Sequence, residues 1–208
     1  GHATTSWLLE FAHPLVKVTI VPRGKALGAA WYLPNERQIT TKEQMYHEMI
    51  ATLGGRAAEQ LIFGHISTGA LSDLEKVTKQ ATAMVAYYGL DERIGNRSYY
   101  DSTGQQDYSL TKPFSDKTAE IIDEQVSKII ESAYQEALRI LSENLDGLTQ
   151  LANKLIDKEV VFGDDLETIF GKRPWVKEEL EFPKEENKQD EETVSQQDNE
   201  STSQQDNE

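Results

Sequence analysis

Apolar residues recur every three or four positions along most of the chain, which is the spacing typical of amphipathic helices. This pattern predicts helices over residues 1–12, 40–64, 67–89, 115–145, 148–160 and 164–171. The clearest of them follows the capping residue Ser115, and its apolar stripe consists of Ile122, Val126, Ile129, Ala133, Ala137 and Leu141. The sequence therefore predicts a mainly α domain.

The helix predicted over residues 40–64 has a recognisable start and an unusual middle. Thr41 and Gln44 have the spacing of a capping box, and the apolar face that follows keeps a four-residue spacing through Met45, Met49, Leu53, Ala57 and Leu61. Gly54 and Gly55 interrupt it, and each glycine lowers helix stability by roughly 1 kcal/mol. We therefore expect another helix to cross closely at this point.

A small β element is predicted between the first two helices. Residues 15–24 alternate apolar and polar side chains through Val16, Val18 and Ile20 and then reach a turn. Residues 25–35 form a second extended segment. Pro22 suits an edge position, where a strand can spare an amide. The prediction is a short hairpin or edge arrangement on a mainly α fold.

Charge divides the chain into a body and a tail. The net charge is −15, and residues 177–208 alone contain twelve acidic residues against three lysines. An acidic chain argues against nucleic-acid binding, which needs clustered Lys and Arg. Residues 176–208 repeat SQQDNE, so they are predicted to be a disordered acidic tail, either a solvated linker or a binding segment. Residues 1–175 are the predicted folded domain.

The composition also limits the possible chemistry. No run of 18 apolar residues is present, so no membrane-spanning segment is predicted, and the start does not have the pattern of a signal peptide. The absence of cysteine excludes disulfides and thiolate ligands. A metal ion would have to be held by Asp, Glu or the four histidines.

Four places could contribute to a functional site. His2 is a lone histidine on a helix. His47 and Glu48 form half of the zinc motif H-E-x-x-H, but Ala51 stands where the second histidine belongs, and His47 lies opposite the inward face of its helix. We therefore interpret the His47–Glu48 pair as unrelated to metal binding.

The other two candidates also have simpler explanations. Asp73 lies near a helix N-terminus, where the helix dipole alone favours a carboxylate. Glu59 can pair with Arg56 on the surface of its helix. None of the four candidates identifies a function by itself.

Five stretches in order do indicate a family. They are "GHATTSWLLEFAHPLVKVTIVPRGKALGAAWYLP", "TLGGRAAEQLIFG", "STGALSDLEKVTKQATAMVAYYG", "KPFSDKTAEIIDEQV" and "KLIDKEVV". Together they resemble the peptidase domain of the FtsH family, the membrane-anchored AAA+ zinc metalloproteases of bacteria and organelles. The resemblance covers essentially residues 1–175 and implies an FtsH-type helical zinc peptidase fold.

The resemblance implies a zinc site. The family motif reads H-E-A-G-H-A, and its second half matches "GHA", which makes His2 the second zinc histidine. The first histidine and the catalytic glutamate would lie four and three residues before His2, ahead of residue 1. Asp73 matches the aspartate that completes the site. Two imidazoles, a carboxylate and an open position for water make a hydrolytic Zn²⁺ site.

The resemblance further implies a substrate-binding edge strand around Leu27, Gly28 and Ala29, and support of the site by Glu59. The family acts as a hexameric ring, with an ATP-binding module and transmembrane segments ahead of the peptidase domain. Its substrates are unfolded and membrane proteins, and a bacterial member works at the cytoplasmic face of the inner membrane. No phosphate-binding G-x-x-x-x-G-K-[ST] motif occurs in these 208 residues.

Two functions remain open for the chain itself. One is the peptidase domain of a zinc endopeptidase, in which residues 1–208 alone are inactive without the upstream histidine and glutamate. The other is a noncatalytic module that keeps the helical body for ring assembly.

Overall fold

The computed structural model describes residues 1–22, 28–33, 39–100 and 113–175, and Gly1–Trp175 forms one compact unit. The fold is mainly α with a small sheet, as predicted. Its helices are α1 (His2–Leu8), α2 (Lys42–Phe63), α3 (Leu71–Thr82), α4 (Asp116–Glu143), α5 (Leu145–Lys158) and α6 (Gly163–Phe170).

The main core lies between α2 and α4. The predicted faces of both helices are buried there, with Met49, Leu53, Ala57, Ala133, Ala137 and Leu141 at 1% exposure or less. Each fully buried Leu or Met side chain contributes about 1.5–3 kcal/mol. The capping box of Thr41 and Gln44 is present, and Ser115 caps α4 by accepting a hydrogen bond from the Thr118 amide. These packed helices form the rigid base on which the cleft described below is built.

The segment predicted as one helix over residues 67–89 consists of three pieces. A 3₁₀ turn at Thr68–Ala70 leads into α3, and a π turn at Ala83–Tyr87 follows it. Gly89 then leaves the helix with a φ of 63°, a conformation that suits glycine. The apolar residues Val77, Ala81 and Met84 are buried as predicted.

The sheet has three antiparallel strands in the order β2-β1-β3: β1 (Leu15–Thr19), β2 (Ala29–Tyr32) and β3 (Val160–Phe162). The predicted hairpin of β1 and β2 is confirmed. The prediction of a helix up to residue 160 was wrong, because α5 ends at Lys158 and Glu159 turns the chain with a φ of 60°. Val160 and its neighbours then pair with β1.

The first helix also ends earlier than predicted, at Leu8 rather than residue 12. Leu9 is extended, so the carbonyls that follow the helix need other partners. The buried guanidinium of Arg173 supplies them: its Nη2 donates to the Leu9 carbonyl at 2.7 Å and to the Ala12 carbonyl at 3.1 Å. Burial lowers the pKa of Arg173.

Removing this guanidinium leaves two carbonyls without their donor. We expect Arg173→Ala to lower the free energy of unfolding of the 208-residue chain by about 2–4 kcal/mol, since a hydrogen bond to a charged group contributes about 1.5–3 kcal/mol. Urea unfolding followed by circular dichroism measures this. The neighbouring Lys172 is exposed, so Lys172→Ala is the control and should change stability by no more than about 0.5 kcal/mol.

Several predictions fall outside the described residues. They are the strand turn near residues 23–27, the segment 34–38, most of the loop at 101–112, and the acidic tail at 176–208. In the part of the chain that the structure describes, no helix is long and apolar enough to cross a membrane.

Candidate metal centre and its cleft

The structure brings His2 and Asp73 together. His2 is the first residue of α1, and Asp73 lies in the first turn of α3, 71 positions further along the chain. Nε2 of His2 lies 3.4 Å from Oδ2 of Asp73, and the two side chains are 38% and 28% exposed. Both polar groups therefore reach a shared, solvent-accessible point.

This approach depends on the glycine pair in α2, where α1 crosses as predicted. A Cβ built on Gly54 would overlap Oγ1 of Thr5, and one built on Gly55 would lie 2.5 Å from Nε2 of His2. No real Cβ is that close to another heavy atom. Gly54 admits the backbone of α1, and Gly55 leaves room for the imidazole.

A backbone carbonyl fixes the imidazole of His2. Its Nδ1 lies 3.1 Å from the Ala51 carbonyl on α2. Because a carbonyl only accepts, Nδ1 carries the proton. In the neutral ring Nε2 then presents its lone pair to Asp73. A neutral imidazole with a free Nε2 is the form in which histidine binds a metal ion.

The position of Asp73 is set by the turn before its helix. Ser67 caps that turn by accepting a hydrogen bond from the Gly69 amide. Glu59, on α2, accepts from both the amide and the hydroxyl of Ser67, at 3.2 and 2.6 Å. These two hydrogen bonds lower the pKa of Glu59. Glu59 thus connects α2 to the segment that carries Asp73.

A cleft of about 820 Å³ contains both side chains. Its walls come from α1, α2, the turn before α3, and β2, which is an edge strand of the sheet. Gly28 and Ala29 line it, whereas Leu27 lies outside the described residues. Ala30 and Tyr32 line it as well.

The hydrogen-bonding pattern shows which peptide groups of β2 face away from the sheet. The Ile20 amide donates to Glu159 beside β3, so alternate positions of β1 bond to β3 and the others bond to β2. Because Thr19 is in register with Ala29, the N–H and C=O groups of Ala29 bond to β1. The N–H and C=O groups of Ala30 and Tyr32 therefore point to the open edge of the sheet.

Sequence reasoning set aside one of the three described acids of the cleft, which are Glu48, Glu59 and Asp73. Glu48 lines the cleft, pairs with Nε2 of His13 at 3.4 Å, and accepts from Nε2 of Gln80 at 3.0 Å. The spacing of residues 48, 52, 55 and 59 could have revealed it, because this is one face of α2 and all four residues line the cleft.

His47 lies in a different environment from Glu48. It is half-buried, its ring centroid is 5.2 Å from that of Phe11, and its Nδ1 accepts from the Phe11 amide at 3.3 Å. Burial lowers its pKa. The segment that follows α1 therefore holds the side chain of His47 in place.

The pair of His2 and Asp73 fits zinc. Zinc binds a histidine nitrogen at ~2.0–2.1 Å and a carboxylate oxygen at ~2.0–2.2 Å in a tetrahedral site, which places two such ligand atoms about 3.4 Å apart. The observed separation is 3.4 Å. Among the described residues no group of three or more His, Cys, Asp and Glu side chains could hold a metal ion together.

A helical domain with a His–Asp pair beside an open strand edge is suited to metal-dependent peptide hydrolysis. The sequence model of peptidase family M41 matches residues 1–169, and the chain belongs to that family. The FtsH resemblance is thereby confirmed: this is an FtsH-type zinc peptidase domain.

Relatives from bacteria and mitochondria are similar over most of the chain. It is 65% identical over 176 residues to the ATP-dependent zinc metalloprotease FtsH of Parabacteroides distasonis, covering 85% of this chain and 26% of that protein. The FtsH of Karelsulcia muelleri is 56% identical over 81% of the chain and 27% of its own length. The mouse mitochondrial inner membrane m-AAA protease component AFG3L1 is 43% identical over 84% and 22%. The chain therefore spans about a quarter of these relatives.

Proposed function

We propose that this chain is the proteolytic domain of an ATP-dependent zinc metalloendopeptidase. The observation that supports this most directly is the convergence of His2 and Asp73 at a zinc-ligand separation in a cleft bordered by an edge strand. The full-length protein would be a membrane-anchored homo-hexamer at the cytoplasmic face of a bacterial inner membrane. Its substrates would be unfolded and membrane proteins, as the family resemblance implies; the relatives themselves are named ATP-dependent zinc metalloproteases.

The residues of the cleft have separable roles in this proposal. His2 and Asp73 would hold the zinc, with Ala51 fixing the ring of His2 and Glu59 fixing the turn before Asp73. Bound zinc lowers the pKa of water and polarises a carbonyl group. The general base and the third ligand would come from the residues that precede His2 in the family motif.

The edge strand would bind substrate by β-addition. An extended peptide pairs with backbone groups rather than with one side chain, which suits broad specificity. The predicted positions Gly28 and Ala29 line the cleft, and the open peptide groups of Ala30 and Tyr32 extend this edge. Leu27 stays a prediction.

We test the proposal on the full-length protein, purified without added metal. The expected result is one zinc per chain by elemental analysis and ATP-dependent digestion of casein. A protein that assembles into rings but contains no zinc and cleaves nothing would contradict it and favour the noncatalytic assembly module. The polypeptide of residues 1–208, given zinc and casein, should leave casein intact.

A further inference from the structure

Tyr32 lines the cleft. Its side chain has no role in the proposed zinc site or in the proposed pairing of the substrate backbone. Tyr32 ends β2, the edge strand along which substrate is proposed to lie, and it lines the same cleft as His2 and Asp73. Its ring packs against the small apolar cluster of Ala3, Leu15 and Val161. The ring is thus held by α1 and the sheet at the wall of the cleft.

The neighbours of Tyr32 in the cleft include Ser6 and both proposed zinc ligands. Ser6 lies one helical turn after His2, on the same face of α1. Tyr32 therefore shares this cleft with His2 and Asp73.

The phenol keeps its proton at neutral pH. Burial raises the pKa of Tyr32 above its ordinary value, and the negative charge of Asp73 acts in the same direction. The hydrogen bond from Ser6 lowers the pKa, as expected when the serine hydroxyl donates to the phenol oxygen. The proton of Tyr32 itself is then available to an acceptor in the cleft.

We propose that Tyr32 is a catalytic residue that donates a hydrogen bond to the carbonyl oxygen of the scissile peptide bond while that oxygen carries negative charge. The inference rests on the proposed peptidase function. It adds a specific donor to the cleft, positioned by the same strand that would align the substrate backbone.

The chemistry of hydrolysis shows where such a donor acts. The oxygen of water bonds to the carbonyl carbon, and the π electron pair of the C=O bond moves onto the carbonyl oxygen. When this tetrahedral species collapses, the C–N bond breaks and the proton from water goes to the leaving amine. Tyr32 keeps its proton throughout, and its hydrogen bond is strongest when the oxygen is charged.

Tyr32→Phe in the full-length protease tests the proposal, because it removes only the hydroxyl. Loss of one donor to a developing oxyanion costs up to 10²–10³-fold, and we expect kcat for a fluorogenic peptide to fall by about 10- to 100-fold at this half-exposed site. KM, the melting temperature, the zinc content and ATP hydrolysis should stay at wild-type values. A phosphinic peptide, whose oxygens mimic the charged species, should bind more weakly by the same factor as the fall in kcat/KM.

Tyr46→Phe is the matched control. Its phenol also meets a serine, Ser132 at 2.7 Å, but it lies on the α2–α4 side of the molecule, outside the cleft. This variant should keep the wild-type kcat.

Three other results would contradict the proposed role of Tyr32. A Tyr32→Phe enzyme within twofold of wild type, or one that changes only KM, overturns the role of Tyr32 and leaves the proposed function intact. A loss of zinc or of thermal stability in parallel with kcat assigns Tyr32 a structural role instead. A wild-type protein that contains no zinc and has no peptidase activity would contradict the proposed function, and this inference would then also be wrong.

Discussion

Full-length protease with Asp73→Ala is expected to lose its zinc and to hydrolyse peptides at least about 1,000-fold more slowly. The carboxylate is one of the two proposed zinc ligands, and its Oδ2 lies 3.4 Å from Nε2 of His2. Metal catalysis contributes several kcal/mol, and about 1.4 kcal/mol corresponds to a tenfold change in rate. His2→Ala should have the same effect. Elemental analysis and a fluorogenic peptide assay measure the two losses together.

Two variants separate this effect from general damage. Glu75→Gln removes an exposed carboxylate two positions along α3, where it pairs with Lys79 in the next turn. His47→Gln changes the histidine that the sequence places in an H-E pair. Both should retain zinc and activity. Full zinc content in Asp73→Ala, or loss of zinc in His47→Gln, would contradict the assignment of the metal centre.

The helices could be predicted from the sequence because their signals are local. The capping box at Thr41, the cap at Ser115 and the four-residue spacing of buried side chains each depend on neighbours within one or two turns. The glycine pair in α2 was equally informative. Two glycines in an otherwise apolar helix have a cost that only a close crossing explains, and α1 crosses there.

The parts that were missed depend on contacts between distant residues. β3 has three residues and exists because Val160 and Val161 pair with residues of β1 that lie 141 and 143 positions earlier. The early end of α1 depends on Arg173, which donates across 164 positions to Leu9. The alternation of β1 was also incomplete, since a bulge between Leu15 and Lys17 leaves Leu15 buried and Val16 exposed. No local pattern contains this information.

The residues of the candidate site were also only partly predictable from the sequence. His2, Asp73 and Glu59 were chosen by family resemblance, and the structure places His2 beside Asp73 and joins Glu59 to the turn before it. Glu48 was set aside together with His47, although the two point to different sides of α2. Tyr32 gave no signal in the sequence, because its hydroxyl has a chemical role only when α1 and α3 lie beside β2.

The second large effect is expected from Gly55→Ala, a variant that changes neither of the proposed zinc ligands. A methyl group at this position would lie 2.5 Å from Nε2 of His2, so the imidazole must move and its hydrogen bond to Ala51 is lost. Loss of the groups that orient a metal ligand typically lowers metal affinity 10- to 100-fold, and we expect the dissociation constant for zinc to rise by about that factor. Alanine favours the helix by about 1 kcal/mol over glycine, so the melting temperature should change little.

Gly147→Ala distinguishes loss of the site from loss of the fold. Gly147 is also a helical glycine, in α5, and a Cβ there would overlap the ring of Phe170 on α6, far along the chain from either proposed zinc ligand. This variant should lower the melting temperature and keep the wild-type zinc affinity, the reverse of Gly55→Ala. Zinc titration and thermal unfolding of both full-length variants provide the comparison. If Gly55→Ala binds zinc as tightly as wild type, then the His2 imidazole does not need the space that the glycine leaves, and the described geometry is not the one that binds metal.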